Sequence, residues 1–444
     1  MHRRHHPRRT GRMLPALVGG VFALAFYPSE VSASGPKAPS TQRAEPWLGK
    51  VTVAAEAPAL VAAAKKTEAA AARTAALPGG ADQIKWWSTG GAAYRWNEIV
   101  LEEMQEAFIV LPMAARQLAL YHAAIDDAVA GARGHNAGLT AGAKAQTASE
   151  HAAAAAAASA MLAHFFPARG DHFAGRADEA VRARRVSGVD TAASVAIGEA
   201  IGRKVAAAAI ERAKTDGGDA KWTGTVPEGA GRWKGSNPIA PMAATWKPWV
   251  LASPSELRPP APPAVDSDQV KSALAELRSF QRTPKSNHRA VYWEVHGGAR
   301  AHILWNEIAR MKLMEYGMGE SDGARVLAAL NIALADAGVA CWDAKYAFWY
   351  IRPPQLDAEL KSLFPPPNHP SYPAAHGCFS TAAAAVLAGI FTRDRERILA
   401  LGKEAAEARV WAGIHYRFDI DVGQEIGRKV GEKVLLRAFG VRAL

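Results

Sequence analysis

The sequence predicts an all-α protein built as two helical bundles related by internal duplication. Three observations lead there. Apolar residues recur at three- and four-residue spacing, as in Leu101, Met104, Phe108 and Leu111, the period of one helix face. No segment alternates apolar and polar residues in the manner of a half-buried strand. Third, a series of motifs occurs twice in the same order. Trp96-Asn97-Glu98-Ile99 returns as Trp305-Asn306-Glu307-Ile308, and Asp126-Asp127 returns as Asp336, each in an Ala-rich setting. His151 and His376 each lead an Ala-rich helix, ending in Phe165-Phe166-Pro167-Ala168-Arg169 and Ile390-Phe391-Thr392-Arg393. The series closes with Ile197-Gly198-Glu199-Ala200-Ile201-Gly202-Arg203-Lys204-Val205, matched by Val422-Gly423-Gln424-Glu425-Ile426-Gly427-Arg428-Lys429-Val430.

Residues 1–33 read as an export signal: a basic start (Arg3, Arg4, Arg8, Arg9, Arg12), an apolar Met13–Tyr27 and a small-residue Val31-Ser32-Ala33. The apolar run is too short to span a bilayer, and no later segment is expected to cross one. Residues 34–82, rich in Ala, Pro and Lys, read as a mobile leader with one Ala-rich helix, Pro58 to Ala76. The first bundle is expected over 84–213, opening near Ile84-Lys85-Trp86-Trp87. Residues 214–266 are too broken by proline for helix, and Trp222, Trp233, Trp246 and Trp249 suggest an ordered wrap over the bundles. The second bundle is expected over 267–444. Each bundle should hold about four or five helices.

The formal charge is +11, but five arginines and Glu30 fall in the first 33 residues, leaving +7 on the rest. That excess is scattered, without the clustered Lys/Arg and aromatic residues of a nucleic-acid surface, and suits an anionic substrate or an anionic surface. Whether the chain forms a homo-oligomer is left open. The two cysteines, Cys341 and Cys378, flank the candidate site, and an exported chain can hold a disulfide there if their helices are neighbours; two buried thiols are the alternative.

Chemistry concentrates between Lys345 and Asp419. Lys345 and Arg352 are seven apart, expected on one helix face, with Pro353-Pro354 stopping the helix just beyond. His376 stands where the proline-rich 365–373 run meets an Ala-rich helix. The amides of Ala375 and His376, at a positive dipole end, are suited to anionic oxygens. His415 and Asp419, four apart, share a face, so a carboxylate can fix the imidazole tautomer and leave the second nitrogen available. Arg409 precedes His415 by six, with a helix expected to end near Trp411 and another to start near His415. Lys345, Arg352 and Arg409 supply three positive charges, matched to phosphate or vanadate.

The pattern Lys-x6-Arg-Pro, Tyr-Pro-x-x-His, Arg-x5-His-x3-Asp resembles the vanadium haloperoxidase and type 2 phosphatidic acid phosphatase superfamily. Trp342, the Ala335–Gly338 stretch and Tyr416-Arg417-Phe418-Asp419 lean toward the haloperoxidase branch. The resemblance implies a haloperoxidase-like fold across 84–444 and vanadate as cofactor, or phosphate as the bound group in a phosphatase. It implies that Lys345, Arg352, Arg409 and the Ala375 amide hold the oxyanion. His376 becomes the acid/base residue, His415 the vanadate ligand or phosphatase nucleophile, and Asp419 the residue orienting His415. One departure bears on the chemistry: the family's Ser-Gly-His is Ala374-Ala375-His376 here, so a hydroxyl donor is missing, and Ala408 also replaces a serine. Ser371 is the hydroxyl placed to compensate.

Three functions compete on these residues. A vanadate-dependent peroxidase would take peroxide and halide. A secreted acid phosphatase would take phosphate esters through His415. A non-catalytic oxyanion-binding helical protein would need neither histidine. In the first bundle His151 has no Lys-x6-Arg-Pro before it and no Arg-x5-His after it, and that bundle is expected to be structural.

Overall fold

The computed structural model describes residues 45–71, 80–140, 143 and 146–441. The export signal at 1–33 lies outside the described residues. Among those described there are fifteen α-helices and no strand; the one β-bridge joins Arg232 and Tyr350. The helices are α1 (Ala57–Ala71), α2 (Gly80–Ser88), α3 (Gly91–Glu106), α4 (Leu111–Ala137), α5 (Glu150–Phe165), α6 (Gly170–Val186) and α7 (Ala192–Thr215). They continue as α8 (Asp268–Ser279), α9 (Pro284–Glu294), α10 (Ala301–Glu315), α11 (Glu320–Phe348), α12 (Pro353–Leu356), α13 (Ala375–Ile390), α14 (Arg395–Trp411) and α15 (Arg417–Phe439). A π-helical turn, Val295–Ala299, joins α9 to α10.

Helices α4 and α11 pack together through the centre. Contrary to the sequence expectation, α11 is long and apolar enough to cross a membrane by length and composition, yet 94% of its most apolar window is buried inside the protein. Its composition is that of a core helix surrounded by others. A buried amide chain ties the two halves together. Asn97 Nδ2 donates to Asn306 Oδ1 at 2.8 Å and also meets His122 Nε2 at 2.9 Å. Asn306 and Asn331 exchange hydrogen bonds at 2.8 Å. Both the Asn97–His122 and the Asn306–Asn331 pairs are 25 residues apart, so the repeated Trp-Asn-Glu-Ile segment does the same work in each half.

The second repeated motif explains itself in the packing of α5 on α7 and α13 on α15. A Cβ on Gly198 would lie 2.3 Å from Ser149 O, and one on Gly202 2.3 Å from Ala153 O. On Gly423 it would lie 2.6 Å from Ala374 O, and on Gly427 2.5 Å from Cys378 O. Glycine at i and i+4 lets the two backbones approach closer than any side chain permits. In the second half this contact seats the start of α13 against α15 and so fixes the relative position of His376 and His415.

Residues 34–82 were expected to be a mobile leader. Over their described part they are packed instead: Val53 and Ala57 are buried in the core. Trp47 N and Leu48 N donate to Asp127 at 3.1 and 2.7 Å, and Trp47 Nε1 to Asp126 at 3.1 Å. The Ala-rich helix runs Ala57–Ala71, and the remainder of the expected span, to Ala76, lies outside the described residues. The Trp-rich connector, read from its tryptophans as an ordered wrap, is tied down through a carboxylate in the same way. Trp249 N, Val250 N and Leu251 N donate to Asp336 at 2.8, 2.7 and 3.1 Å. Trp233 and Trp246 are buried. Low-complexity composition hid both contacts, because a few amides satisfying buried carboxylates leave no periodic trace.

Phe108 also departs from the sequence reading. It is 83% exposed, not on the core face, because α3 ends two residues before it.

Candidate oxyanion site

The loop and helix ends at one side of the second half bring Lys345, Arg352, His376, Arg409, His415 and Asp419 together, each at most 5% exposed. Lys345 and Arg352 do not share a helix as expected. Helix α11 stops at Phe348, Trp349 turns left-handed (φ 49°), and Arg352 is the extended residue that precedes α12 (φ −78°, ψ 150°). Extension is what a following proline demands. The two cations converge from separate elements.

Arg352 lies against His415. Its Nη1 is 2.8 Å from His415 Nε2 and 3.1 Å from Ile414 O, while Nε and Nη2 donate to His369 O at 3.1 and 2.9 Å. His415 Nδ1 is 2.8 Å from Asp419 Oδ2. A carboxylate on one ring nitrogen and a guanidinium on the other assign the Nδ1–H tautomer and put a lone pair on Nε2. Burial pushes His415 well below the ordinary histidine range, and Arg352, Lys345 and Arg409 push the same way, so the ring is neutral. Burial raises Asp419 to about 6, partly offset by the Ser371 hydrogen bond and the nearby Lys345 and Arg352.

Ser371 is not an oxyanion donor. Its Oγ donates to Asp419 Oδ2 at 2.6 Å, adding to the amide of Tyr416 at 3.2 Å. It supports the residue behind His415 and leaves the donor missing at Ala374 unreplaced.

Lys345 Nζ donates to Pro370 O at 2.8 Å, Ser371 O at 3.0 Å and Pro373 O. Burial lowers it to about 8. Three carbonyls use its three protons. It therefore fixes the strand of chain leading into α13 and contributes its charge from behind.

Arg409, on the last turn of α14, is fully buried, and its Nη1 is 2.6 Å from Glu294 Oε2. The approach is close enough for an ion pair but misaligned for a hydrogen bond, and Nε, Nη1 and Nη2 all lack a hydrogen-bond partner. A buried guanidinium with unsatisfied protons is unusual.

His376 begins α13 with Ala375, so their amides have no acceptor within the helix. His376 Nε2 is 2.9 Å from Trp293 O. The carbonyl makes Nε2 the donor and leaves the lone pair on Nδ1. Burial, then Arg409, holds the ring well below the usual range. The imidazole lies on the π-turn: a Cβ on Gly297 would sit 3.0 Å from its Cδ2, and one on Gly298 3.1 Å from its Cε1.

A cavity of about 240 Å³ opens onto this cluster, lined by Ala375, His376, Arg409 and His415 of the expected residues. Lys345, Arg352 and Asp419 are not among its lining residues. Sequence reasoning missed Glu294 and His369, which also line it. His369 is fully buried, with Nδ1 3.1 Å from Arg352 Nη2 and its ring 5.3 Å from that of Trp342. It sat in a proline-rich run with no helical register, and Glu294 is brought in from a distant helix. Cys341 and Cys378 are buried free thiols that contact one another, so the alternative to the disulfide holds.

The first half keeps the frame with other side chains. Ser149 begins α5 as Ala374 begins α13, and His151 is placed as His376 is. Arg184 is followed by Asp190, where Arg409 is followed by His415. Arg184 Nε donates to Asp190 Oδ2 at 3.0 Å, and Ser149 Oγ to the same oxygen at 2.8 Å.

The cluster fits a tetrahedral oxyanion better than a metal cation. Three cations face two carboxylates, Arg409 has buried protons to give, and no group of three or more His, Cys, Asp or Glu among the described residues could hold a metal ion.

The PAP2 superfamily profile matches residues 325–431. Among curated protein sequences nothing matches significantly. Similar solved structures include the first bacterial vanadium-dependent iodoperoxidase, 23% identical, with a TM-score of 0.63 over 77% of this chain and 95% of that one. A bacterial vanadium-dependent chloroperoxidase in its holo form is 17% identical, with a TM-score of 0.58 over 74% and 93%. Its apo form is 16% identical, with a TM-score of 0.57 over 74% and 94%. The chain has the all-α fold of the bacterial vanadium-dependent haloperoxidases, with the PAP2 superfamily pattern across residues 325–431.

Proposed function

We propose that this is an exported, vanadate-dependent peroxidase of the haloperoxidase type, acting on peroxide and halide. One observation carries the reading: His415, with its Nε2 lone pair met by Arg352, and Arg409, with unsatisfied protons, line one cavity. Vanadate would be held by Arg409 and the Ala375 and His376 amides, with His415 Nε2 as its ligand and Lys345 and Arg352 adding charge from behind; the chemistry it would supply is activation of peroxide toward halide. The peroxidase names of the structural neighbours and the Tyr416-Arg417-Phe418-Asp419 sequence favour this reaction over phosphate-ester hydrolysis. Export rests on the basic and apolar segments of residues 1–33.

The residues divide the work. Asp419 holds the Nδ1 proton of His415 and keeps Nε2 basic. Arg352 now covers that lone pair and has to turn from it when the nitrogen takes a ligand, since one lone pair serves one partner. His376, neutral and anchored through Nε2, would offer Nδ1 as a proton acceptor in the cavity. Arg409, itself fully buried, sets its charge against developing negative charge.

The test is iodide and bromide oxidation by peroxide with the purified full chain, with and without vanadate, beside hydrolysis of a phosphate ester. Halide oxidation that requires vanadate and vanishes in His415→Ala supports the reading. Ester hydrolysis inhibited by vanadate would replace it with the phosphatase.

A further inference from the structure

Helix α9 ends on two consecutive residues that both reach the site. The Trp293 carbonyl takes the Nε2 proton of His376 at 2.9 Å, and the Glu294 carboxylate pairs with Arg409 at 2.6 Å. One turn earlier Arg289 Nη2 donates to Glu404 Oε2 at 3.0 Å, so α9 is fastened to α14, the helix that carries Arg409. Just past Glu294 the helix widens into the π-turn. Val295 N bonds Val291 O, four residues back, but Arg300 N bonds Val295 O, five back. The register slips by one residue, and a slip of this kind opens the backbone ladder to groups outside the helix. Gly297 and Gly298 lie in the widened turn, and both abut the His376 ring. A Cβ on Gly298 would meet only that ring within 4 Å, at 3.1 Å from Cε1 and 3.4 Å from Nε2. One on Gly297 would lie 3.0 Å from its Cδ2 and 2.9 Å from Trp293 Cε3.

The first half is built differently at the matching joint. There α2 stops at Ser88 and α3 begins at Gly91, and Thr89 N bonds Lys85 O, four residues back, with no slip in register. His151, placed as His376 is, has no hydrogen-bond partner for its buried Nε2. One copy of the fold is therefore made without a π-turn, and the copy that has the turn is the one with the histidine pair. Single π-turns inside helices are rare and concentrate at functional sites. We infer that the Val295–Ala299 π-turn is a positioning device for His376. The Trp293 carbonyl fixes the tautomer of the ring, and Gly297 and Gly298, by carrying no side chain, fix where its plane can lie. With the Nε2 proton tied to that carbonyl, the Nδ1 lone pair is the one left for chemistry. This rests on the proposed function for what that lone pair does, but not for how the ring is held.

The test reads the ring directly. Imidazole nitrogen NMR on the isotope-labelled full chain assigns the His376 tautomer, with His376→Gln identifying its signal. Wild type should show one neutral tautomer with the proton on Nε2. Gly297→Ala and Gly298→Ala should each lose that single form. Val291→Ala, at an exposed position of α9, should keep it. Where vanadate-dependent halide oxidation is present, both glycine variants should lower kcat about 10- to 100-fold, since a displacement on the order of 1 Å is enough. Vanadate affinity, read by calorimetry, should hold. A wild-type His376 with its proton on Nδ1 overturns the inference without any variant. So does an unchanged His376 spectrum in both glycine variants, whatever their kcat. The expected spectra in a chain without vanadate-dependent oxidation would overturn the peroxidase reading and leave the positioning role standing.

Discussion

Replacing Ala374 by serine should tighten oxyanion binding and stabilise the protein at once, and the first half supplies the template. Ser149 and Ala374 hold the same backbone at the start of equivalent helices: φ −77° and ψ 120° against φ −73° and ψ 121°. Ser149 Oγ accepts from Ala152 N at 3.1 Å and donates its proton to Asp190 at 2.8 Å. Ala374 caps nothing with its side chain. A serine there would accept from the Gly377 amide and keep its own proton for an anion in the cavity. The cap contributes about 1 kcal/mol to stability. A hydrogen bond to a charged oxygen contributes about 1.5–3 kcal/mol, or roughly 10- to 150-fold in affinity. Urea unfolding without ligand reads the first effect, and calorimetric titration with vanadate and with phosphate reads the second. A more stable Ala374→Ser protein with unchanged affinity would mean that the oxyanion does not sit at the start of α13, and the arrangement proposed for His376 and Ala375 would fall with it. A less stable one would mean that the fully buried site has no room for the hydroxyl.

Other outcomes follow from the same contacts. Asp419→Asn leaves His415 Nδ1 without its carboxylate and should weaken vanadate binding by about ten- to a hundredfold, read by calorimetry. Lys345→Met orphans three buried carbonyls and should cost about 3 kcal/mol or more of stability in urea, whether or not an oxyanion is present. Burial lowers His122 to about 3 and His302 to about 4, so the unfolded chain takes up protons below about pH 6.5 that the folded chain refuses. Their contribution is whole above that pH and shrinks as pH falls, by about 1.4 kcal/mol per unit for each ring. His122→Asn, which copies Asn331 of the other half, should flatten that slope in unfolding midpoints between pH 7 and 5. Thiol titration should find two reactive cysteines after denaturation and far slower reaction before it, since both are buried and free.

The sequence was most legible where chemistry and period coincide. The helical repeat marked the bundles, and Arg-x5-His-x3-Asp marked a site, because a helix end and a helix start keep fixed distances along the chain. What it concealed depends on distant contacts. Glu294 reaches Arg409 from α9. Ser371 was weighed as an oxyanion donor, but the sequence does not say that its hydroxyl turns back to Asp419. Lys345 and Arg352 have helical spacing, yet Trp349 ends the helix between them. Phe108 has the spacing of a core residue and lies two residues beyond the end of the helix that would have buried it. Periodicity reports which face a residue takes while the helix lasts, and not where the helix stops.

The two halves also explain why one set of residues reads as a site and the other does not. In the first, Arg184 meets a carboxylate six residues on, and Ser149 donates to that same carboxylate, so charge and protons are consumed inside the cluster. In the second, a neutral histidine stands in the carboxylate's place. Its nearest carboxylate, Asp419, binds the far nitrogen, and Arg409 keeps an ion pair with Glu294 at 2.6 Å and the Phe364 ring at 5.3 Å. Exchanging aspartate for histidine at one position removes a fixed negative charge and puts a neutral lone pair, here met by Arg352, at the same point. The guanidinium that the first half neutralises with Asp190 here has only the Glu294 carboxylate against it, leaving charge for an external anion. The helix starting above them, held close by Gly423 and Gly427, needs no change to serve either outcome. On this argument the capacity to hold an oxyanion comes less from the added cations than from the absence of the carboxylate that would otherwise have matched them.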